Sequence, residues 1–132
     1  MEIKEYTDFD EAGILSLYGD AGWKAYTDDI EALRRGFENS LLVLAAYENG
    51  ELLGLIRAVG DGATVVLVQD ILVFKKYQRR GVGSALLREM LGRYSHVRQI
   101  ELVTDNMEST KAFYRSMGFR ELSEYGCCGF MR

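Results

Sequence analysis

Apolar residues recur along this chain with two distinct periods, and each period predicts a different kind of element. Alternating or continuous apolar runs predict strands at residues 2–6, 41–47, 51–59, 63–74 and 99–103. Spacings of three and four residues predict helices at 9–18, 28–37, 81–94 and 105–117, with a loop at 19–27. The final stretch, 119–132, is predicted to hold one or two closing strands. The predicted element order is therefore β-α-α-β-β-β-α-β-α-β.

Short polar turns connect the three central strands. Glu48-Asn49-Gly50 and Gly60-Asp61-Gly62 separate consecutive apolar runs as hairpin turns do, which predicts an antiparallel meander. The later strand-helix-strand order predicts a parallel pair with a right-handed crossover. Together these features predict an α/β (α+β) fold with a mixed, mostly antiparallel central sheet of six to seven strands and about four helices on its faces. The chain has no proline, repeat or linker, so we expect one domain over residues 1–132.

The ends of the last predicted helix carry recognisable capping residues. Asp105 and Glu108 have the spacing of a capping box, and Gly118 stands where a C-terminal cap belongs. These residues predict a helix that begins at Asp105 and ends at Met117.

Composition and charge exclude several classes of function. Sixteen Lys and Arg against twenty Asp and Glu give a net charge of −4, which disfavours nucleic acid and anionic membranes as partners. The first eight residues are acidic and do not resemble a signal peptide, and no apolar run has the length of a membrane helix. Cys127 and Cys128 are adjacent and His96 is the single histidine, so we expect no metal site and a cytoplasmic protein.

A glycine-rich turn between a buried strand and a helix is the most informative segment. In Gln78-Arg79-Arg80-Gly81-Val82-Gly83-Ser84, free N–H groups at a helix start, two small residues and two arginines suit a pyrophosphate. The alternative is a helix start that uses glycine only for tight packing. The segment lacks the Gly-Lys-Ser/Thr of a Walker A loop. Leu86 occupies the third small position of a dinucleotide fingerprint, which leaves that interpretation weak.

The same segment resembles the signature of the GCN5-related N-acetyltransferase family, Gln/Arg-x-x-Gly-x-Gly/Ala. Asp70-Ile71-Leu72-Val73 is similar to the family's fourth strand. Thr104-Asp105-Asn106 and Ala112-Phe113-Tyr114 with Met117-Gly118-Phe119 are similar to its second diagnostic block, although Ala, Phe and Tyr are contiguous here. The resemblance covers nearly the whole chain, and it implies the acyl-CoA N-acyltransferase fold.

The resemblance implies acetyl-CoA as the acetyl donor and an amine as the acceptor, with direct transfer in a ternary complex. The pantetheine arm would bond to backbone near Leu72 and Val73, and an N–H near Val73 would stabilise the oxyanion. Tyr114 would protonate the leaving thiolate, although it could instead be a core aromatic. Asn106 would contact the donor arm or only cap a helix. The donor phosphates would contact the glycine-rich turn, at Gln78, Arg79, Arg80, Gly81, Val82, Gly83 and Ser84.

The chain departs from the family where some members carry a glutamate in the fourth strand, because residues 65–68 are all apolar. Strand alternation would point Gln69 and Asp70 to opposite faces, and Asp70 is the only one that could act as the general base. Asp70 could instead be a structural carboxylate, with a water chain as the base. Trp23 and Tyr26 suit a small cationic amine or merely close over the core. Arg57 and Tyr125 could also line the acceptor pocket.

These observations predict an N-acetyltransferase of a small-molecule amine. The alternatives are a non-catalytic acyl-CoA-binding sensor and a partner-binding module with the same fold. A homodimer could form through the last residues, where Tyr125, Cys127 and Phe130 are apolar.

Overall fold

The computed structural model describes all 132 residues and contains five strands, five α-helices and two short 3₁₀ helices. The strands are β1 (Glu2–Glu5), β2 (Leu42–Glu48), β3 (Glu51–Gly60), β4 (Val65–Val73) and β5 (Gln99–Leu102). The α-helices are α1 (Glu11–Asp20), α2 (Lys24–Thr27), α3 (Ile30–Glu38), α4 (Val82–Arg93) and α5 (Glu108–Ser116). The 3₁₀ helices span Lys75–Tyr77 and Leu122–Tyr125.

The five strands form one mixed sheet in the order β1-β2-β3-β4-β5. The pairs from β1 to β4 are antiparallel, and β4 pairs with β5 in parallel through the α4 crossover. Asn49 and Gly50 both have positive φ angles, 53° and 79°, which is the backbone of a two-residue hairpin turn between β2 and β3. The predicted meander and parallel pair are confirmed. The sheet has five strands where six to seven were expected, and the chain has five α-helices where about four were expected.

Two apolar clusters cover the faces of the sheet. Buried residues of α4, including Leu86, Leu87 and Met90, pack with β2, β3 and β4 on one face. On the other face, residues of α1 and α3 such as Ile14, Leu17 and Leu33 pack against the sheet. No helix is long and apolar enough to cross a membrane.

The closing strands expected over 119–132 are absent. The Glu121 and Glu124 side chains each accept a hydrogen bond from the other residue's backbone, and this capping box begins the 3₁₀ helix Leu122–Tyr125. Gly126 then adopts a left-handed conformation with φ 74°, which turns the chain. These local bonds end any extended run, so β5 remains an edge strand.

Two other expected boundaries differ from the structure. Residues 24–27 form the single helical turn α2 inside the expected loop. The helix α5 begins at Glu108 and not at Asp105, because Asp105 Oδ1 accepts the Met107 N–H at 2.9 Å in a turn that precedes the helix. Gly118, with φ 92°, ends α5 as expected.

An irregularity in β4 and the early end of β5 leave part of one edge of β4 unpaired. Arg57 pairs with Asp70, but the next residue, Ala58, pairs with Val68, so Gln69 is an extra residue in a β-bulge. Beyond this bulge β4 has no neighbour on its other side, because β5 pairs only with Val65 to Val68. The two parallel strands therefore separate at the bulge and leave one edge of β4 open.

Candidate functional site

The open edge of β4 carries backbone groups with no partner. Phe74 N–H donates to Leu53 C=O at 3.0 Å, and alternation along an antiparallel ladder then directs the backbone of Leu72 toward β3 as well. The backbone groups of Ile71 and Val73 point to the open edge, and neither N–H has a backbone acceptor. This edge can pair with an extended ligand as a further strand would. The backbone of Leu72 faces β3, so the expected donor contact there stays a prediction, and Ile71 offers a free N–H that the sequence analysis did not single out.

The turn before α4 presents N–H groups to the same region. Gly81 precedes the helix in a left-handed conformation with φ 81°, and Arg79 also has a positive φ of 65°. The N–H groups of Gly81, Val82, Gly83 and Ser84 have no acceptor within the protein, because the first α4 hydrogen bond is from Ala85 N–H to Gly81 C=O. Free N–H groups at the positive end of a helix dipole attract an anion. We call residues 79–84 the phosphate cradle.

The space in front of the phosphate cradle is not filled by protein atoms. A Cβ added at Gly81 would meet nothing within 4 Å. A Cβ at Gly83 would lie 3.9 Å from both the Phe113 ring and the Val73 side chain, which is ordinary contact. Glycine is therefore not required at position 83 by the packing of the protein itself. This open surface and the free N–H groups fit the pyrophosphate and pantetheine arm of the expected donor.

The polar residues of the turn have different surroundings. Arg79 and Arg80 are exposed, neither forms an ion pair, and the Arg80 guanidinium lies 5.4 Å from the centre of the Tyr77 ring. Both arginines are thus free to bind an anion. Gln78 instead donates its Nε2 to the Val73 C=O at 3.2 Å, which ties the turn to the end of β4.

Tyr114 lies on α5 with its ring against Phe113 and Phe119, at centroid distances of 5.0 Å and 5.9 Å. Burial and then the negative charge of Asp105 raise the pKa of Tyr114, so its hydroxyl is protonated at neutral pH. This hydroxyl has no hydrogen-bond partner in the protein, so it is free to donate to a ligand. Tyr114 and Asn106 line a cavity of about 930 Å³ beside β5, whereas Phe113 is the residue that contacts Gly83.

Asp70 is the centre of a buried polar network. Its Oδ2 accepts Arg57 Nε at 2.7 Å and the Tyr18 hydroxyl at 2.9 Å, and its Oδ1 accepts the Tyr26 hydroxyl at 2.9 Å. The side chain is 2% exposed and that of Arg57 is 7% exposed. Burial opposes the charge of Arg57, but the charge and hydrogen bond of Asp70 outweigh it and raise the pKa of Arg57. These three bonds favour the structural alternative for Asp70, and its role as a base stays a prediction.

Simple alternation predicted that Gln69 and Asp70 point to opposite faces of the sheet, but both side chains contact Tyr26. Gln69 Nε2 lies 3.2 Å from the Tyr26 hydroxyl, which is the same hydroxyl that bonds to Asp70. The bulge at Gln69 breaks the alternation of β4 and brings both side chains to Tyr26. The correction could not be read from the apolar pattern, because a bulge inserts one residue without an apolar signal.

Aromatic rings of α1 and α2 surround this hydroxyl. The Tyr18 ring lies 5.2 Å from Tyr26 and 5.9 Å from Trp23, and Trp23 and Tyr26 are 6.0 Å apart. Trp23 is 37% exposed, and burial raises the pKa of Tyr26. The structure thus brings Trp23 and Tyr26 together beside the bulge of β4. Tyr125 lines the separate cavity beside β5.

The structure contains no group of three or more His, Cys, Asp or Glu side chains placed to hold a metal ion. The polar groups gathered near the bulge and the phosphate cradle are backbone N–H groups, hydroxyls, the amides of Gln69 and Gln78, the guanidinium groups of Arg79 and Arg80, and the ion pair of Arg57 with Asp70. Such groups can bind a phosphorylated thioester and stabilise negative charge on a carbonyl oxygen. Tyr18 was missed by the sequence analysis, which considered Gln69 only as a candidate base and set it aside. Neither residue carries a signal apart from its place in the fold.

Comparison with known proteins connects this geometry with a family. A GNAT family acetyltransferase from Streptococcus pneumoniae TIGR4 superposes with a TM-score of 0.89 at 39% identity, over 99% of this chain and 96% of the other. The structure of AAC(6')-Iy with the bisubstrate analogue CoA-S-monomethyl-acetylneamine has a TM-score of 0.74 at 19% identity, over 99% and 96% of the two chains. The second likeness is one of fold alone.

A curated relative from Glycine max, named histone acetyltransferase TAP1, is 28% identical in an alignment 124 residues long that covers 85% of this chain. The chain spans about half, 52%, of the length of that relative. The family model described as the acetyltransferase (GNAT) domain matches residues 5–128. The chain therefore belongs to the GNAT family of acetyltransferases.

Proposed function

We propose that this acetyltransferase transfers the acetyl group of acetyl-CoA to the amine of a small molecule, by direct attack in a ternary complex within one domain over residues 1–132. The observation that carries the proposal is the meeting of two sets of unpartnered N–H groups. The N–H groups of the phosphate cradle follow those of Ile71 and Val73 after only a short segment of chain. A pyrophosphate and an amide-containing arm would bind at these two places in turn.

The donor is held mainly by backbone groups in this proposal. The N–H groups of Gly81 to Ser84 bind the pyrophosphate, and Arg79 and Arg80 add charge from exposed positions. Gln78 acts indirectly, since its bond to Val73 C=O holds the turn against β4. Asn106 contacts the donor arm from the other side of the cleft.

The transfer step needs a site for negative charge and a proton for the leaving group. The amine lone pair attacks the thioester carbonyl carbon, and the Val73 N–H or the neighbouring Ile71 N–H stabilises the charge on oxygen. When the C–S bond breaks, the electron pair remains on sulfur and Tyr114 gives its proton to the thiolate. The raised pKa of Tyr114 keeps that proton available at neutral pH.

The amine must lose a proton as the C–N bond forms. Asp70 is the only acidic residue of β4, but its three hydrogen bonds occupy both oxygens. We therefore assign Asp70 first to holding Tyr26 and Arg57, and water beside the Tyr26 hydroxyl takes the proton. Loss of the acidic limb of the pH–rate profile in Asp70→Asn would assign the role of general base to Asp70.

The acceptor binds over the aromatic group formed by Trp23 and Tyr26. Their rings are 6.0 Å apart and partly exposed, which suits a cationic amine in its charged state before reaction. The names of the similar proteins do not agree on one acceptor, since one is called a histone acetyltransferase and another was solved with the bisubstrate analogue CoA-S-monomethyl-acetylneamine. The acceptor class is therefore argued from this chain's own residues, and its acidic net charge of −4 favours a cationic small molecule.

Two copies associate through the chain end in our proposal. No backbone hydrogen bond involves any residue beyond Cys127, and Phe130 and Met131 are 97% and 87% exposed. The outer edge of β5 is also free of a neighbouring strand. An open sheet edge and an extended apolar end complement each other in a second copy.

Light scattering should give twice the 15.0 kDa chain mass. A monomer at all concentrations, or a dimer unchanged by Phe130→Asp, would exclude this contact.

The proposed location is the cytoplasm. Cys127 and Cys128 are both free and exposed, and a reducing compartment keeps such thiols free. Fractionation of the source cells with an antibody would test it, and recovery in an oxidising compartment would contradict it.

The experiment that tests the function combines binding with turnover. Saturating acetyl-CoA at about 100 times Kd should stabilise the fold by about 2.7 kcal/mol, while free adenosine should not. Thiol release with a panel of small amines then measures transfer. Binding without release for any amine would favour a sensor, and no binding would favour a partner-binding module.

A further inference from the structure

A small cavity lies beside the aromatic group, between α2, α3 and the sheet. Its volume is about 260 Å³, and its lining includes Tyr26, Asp29, Ala32, Gly36 and Arg57. At about 30 Å³ for each water-sized group, this cavity accepts roughly eight such groups. It is large enough for one end of a small molecule.

One nitrogen of Arg57, a residue that lines this cavity, has no hydrogen-bond partner. Nε donates to Asp70 at 2.7 Å and Nη1 donates to Ser40 Oγ at 3.3 Å, which leaves Nη2 without a hydrogen bond. The side chain is 7% exposed, and every fully buried polar side-chain atom has a partner. Nη2 is therefore not fully buried, and it is the unpaired donor of a residue that lines the cavity.

The sequence leaves room for this arrangement. A Cβ added at Gly36 would lie 3.2 Å from Arg57 Nη1, which is closer than ordinary contact. Glycine on this face of α3 thus lets the guanidinium lie flat under the helix. Because this unpaired donor keeps some exposure and belongs to a residue of the cavity lining, it is available to a ligand.

The charges around the cavity define which ligand fits. Asp70 neutralises Arg57, and Asp29 adds a carboxylate at the cavity. Asp29 Oδ1 accepts the Ala32 N–H at 3.1 Å at the start of α3, while Oδ2 has no partner. A carboxylate ligand would face the charge of Asp29, whereas a neutral group that both accepts and donates a hydrogen bond meets complementary partners.

We propose that this cavity binds the neutral polar end of the acceptor amine, a hydroxyl or a carboxamide. Arg57 Nη2 donates a hydrogen bond to its oxygen, the Asp29 carboxylate accepts a hydrogen bond from its O–H or N–H, and the amine nitrogen extends past Tyr26 toward the open edge of β4. The proposal rests on the proposed function, since it names the acceptor of that reaction. Arg57 and Asp29 then determine specificity and take no part in the chemistry.

A matched set of four amines tests this. These are 1-aminopentane, 5-aminopentan-1-ol, 5-aminopentanamide and 5-aminopentanoate. The alcohol and the amide should show kcat/KM values about tenfold above the alkylamine, because a hydrogen bond from a charged donor is worth about one tenfold step. Equal values for the first three amines, or a preference for the carboxylate, would overturn the proposal.

A cavity-filling variant supplies the structural control. Ala32→Leu on the exposed face of α3 fills the cavity without touching the bonds of Arg57, and it should abolish the preference. Ala12→Leu makes the same change on the exposed face of α1, outside the cavity, and should preserve it. A preference retained in Ala32→Leu would contradict the proposal.

Direct binding separates this inference from the proposed function. Calorimetry with 5-aminopentan-1-ol in the presence of CoA should show heat with the unmodified protein and weaker binding with Ala32→Leu, whether or not any amine is acetylated. If acetyl-CoA neither binds nor reacts, the proposed function fails while this binding result still decides the cavity. Absent or equal binding in the two proteins would overturn the cavity site.

Discussion

The Tyr26 hydroxyl donates to Asp70 Oδ1 at 2.9 Å, and this bond joins the one-turn helix α2 to the bulge of β4. Asp70 also bonds to Arg57 and Tyr18, so one buried carboxylate connects α1, α2 and two strands. The residue proposed to contact the acceptor is therefore fixed by the strand at which the donor would bind. Changes to Asp70 should affect stability as well as reaction.

Asp70→Asn should destabilise the fold strongly. The amide keeps the shape but leaves the charge of Arg57 buried without a counter-ion, which costs about 3 kcal/mol in comparable pairs. Urea unfolding measures the change. Glu5→Gln, which removes the partner of an exposed pair with Arg93 at 2.7 Å, is the control and should cost far less. Equal losses in the two variants would show that the Asp70 network adds no stability.

The same Asp70→Asn protein decides the identity of the base. If water takes the amine proton, the acidic limb of kcat/KM against pH should keep its midpoint while the rate falls. Disappearance of that limb, with acetyl-CoA binding intact, would assign the base to Asp70.

Gly83→Ala should stabilise the free protein and weaken donor binding. Alanine gains roughly 0.5–1 kcal/mol over glycine inside a helix, and its methyl group would meet only ordinary contacts at 3.9 Å. The same methyl lies on a residue of the phosphate cradle and faces Val73 and Phe113, where the donor arm is proposed to pass, so the Kd for acetyl-CoA should rise about tenfold or more. Thermal unfolding with and without acetyl-CoA measures both effects.

Gly92→Ala is the matched control on the same helix. A Cβ there would meet nothing within 4 Å, and the residue lies near the C-terminal end of α4. It should give a similar gain in stability with an unchanged Kd. Weakened binding in both variants, or in neither, would remove Gly83 from the donor site.

Tyr114→Phe should lower kcat by about 10²-fold with little change in acetyl-CoA affinity, because general acids contribute at least this much. The raised pKa of Tyr114 also means that its ionisation should not limit the rate below about pH 10. Steady-state kinetics across pH measures both. Tyr94→Phe is the control, since Tyr94 is another partly buried tyrosine whose pKa burial raises. Full activity in Tyr114→Phe would exclude the acid role.

The features that the sequence predicted correctly are those with a local cause. The Asn49-Gly50 turn and the apolar runs on either side of it produce the β2–β3 hairpin wherever they occur in a chain. The free N–H groups of Gly81 and Gly83 follow from their place at a helix start. Local backbone geometry was therefore enough to predict the free N–H groups of this turn, while their binding of a phosphate stays a prediction.

The features that were missed depend on distant partners. The partner of Asp70 is Arg57, thirteen residues away on another strand, and its bonds to Tyr18 and Tyr26 cross to the helical layer. The bulge at Gln69 depends on the register between β3 and β4, which no periodicity reveals. The prediction of closing strands over 119–132 was wrong for the opposite reason, because local capping at Glu121 overrode an apolar pattern.

Tyr18 should make the fold sensitive to alkali. Burial, and then the charge of Asp70, raise the pKa of the Tyr18 hydroxyl far above the value near 10 of an unfolded chain. Below about pH 10 both states keep the proton and the free energy of unfolding is unaffected. Above it, the unfolded chain releases the proton and the folded protein does not. The folded state then binds more protons, and stability falls by up to about 1.4 kcal/mol per pH unit.

Urea unfolding at pH 8, 10 and 11 measures this slope. Tyr18→Phe should be less stable at pH 8, because Asp70 loses a bond, but its alkaline slope should be shallower by one proton. An equal slope in the two proteins would place the alkaline sensitivity on other groups.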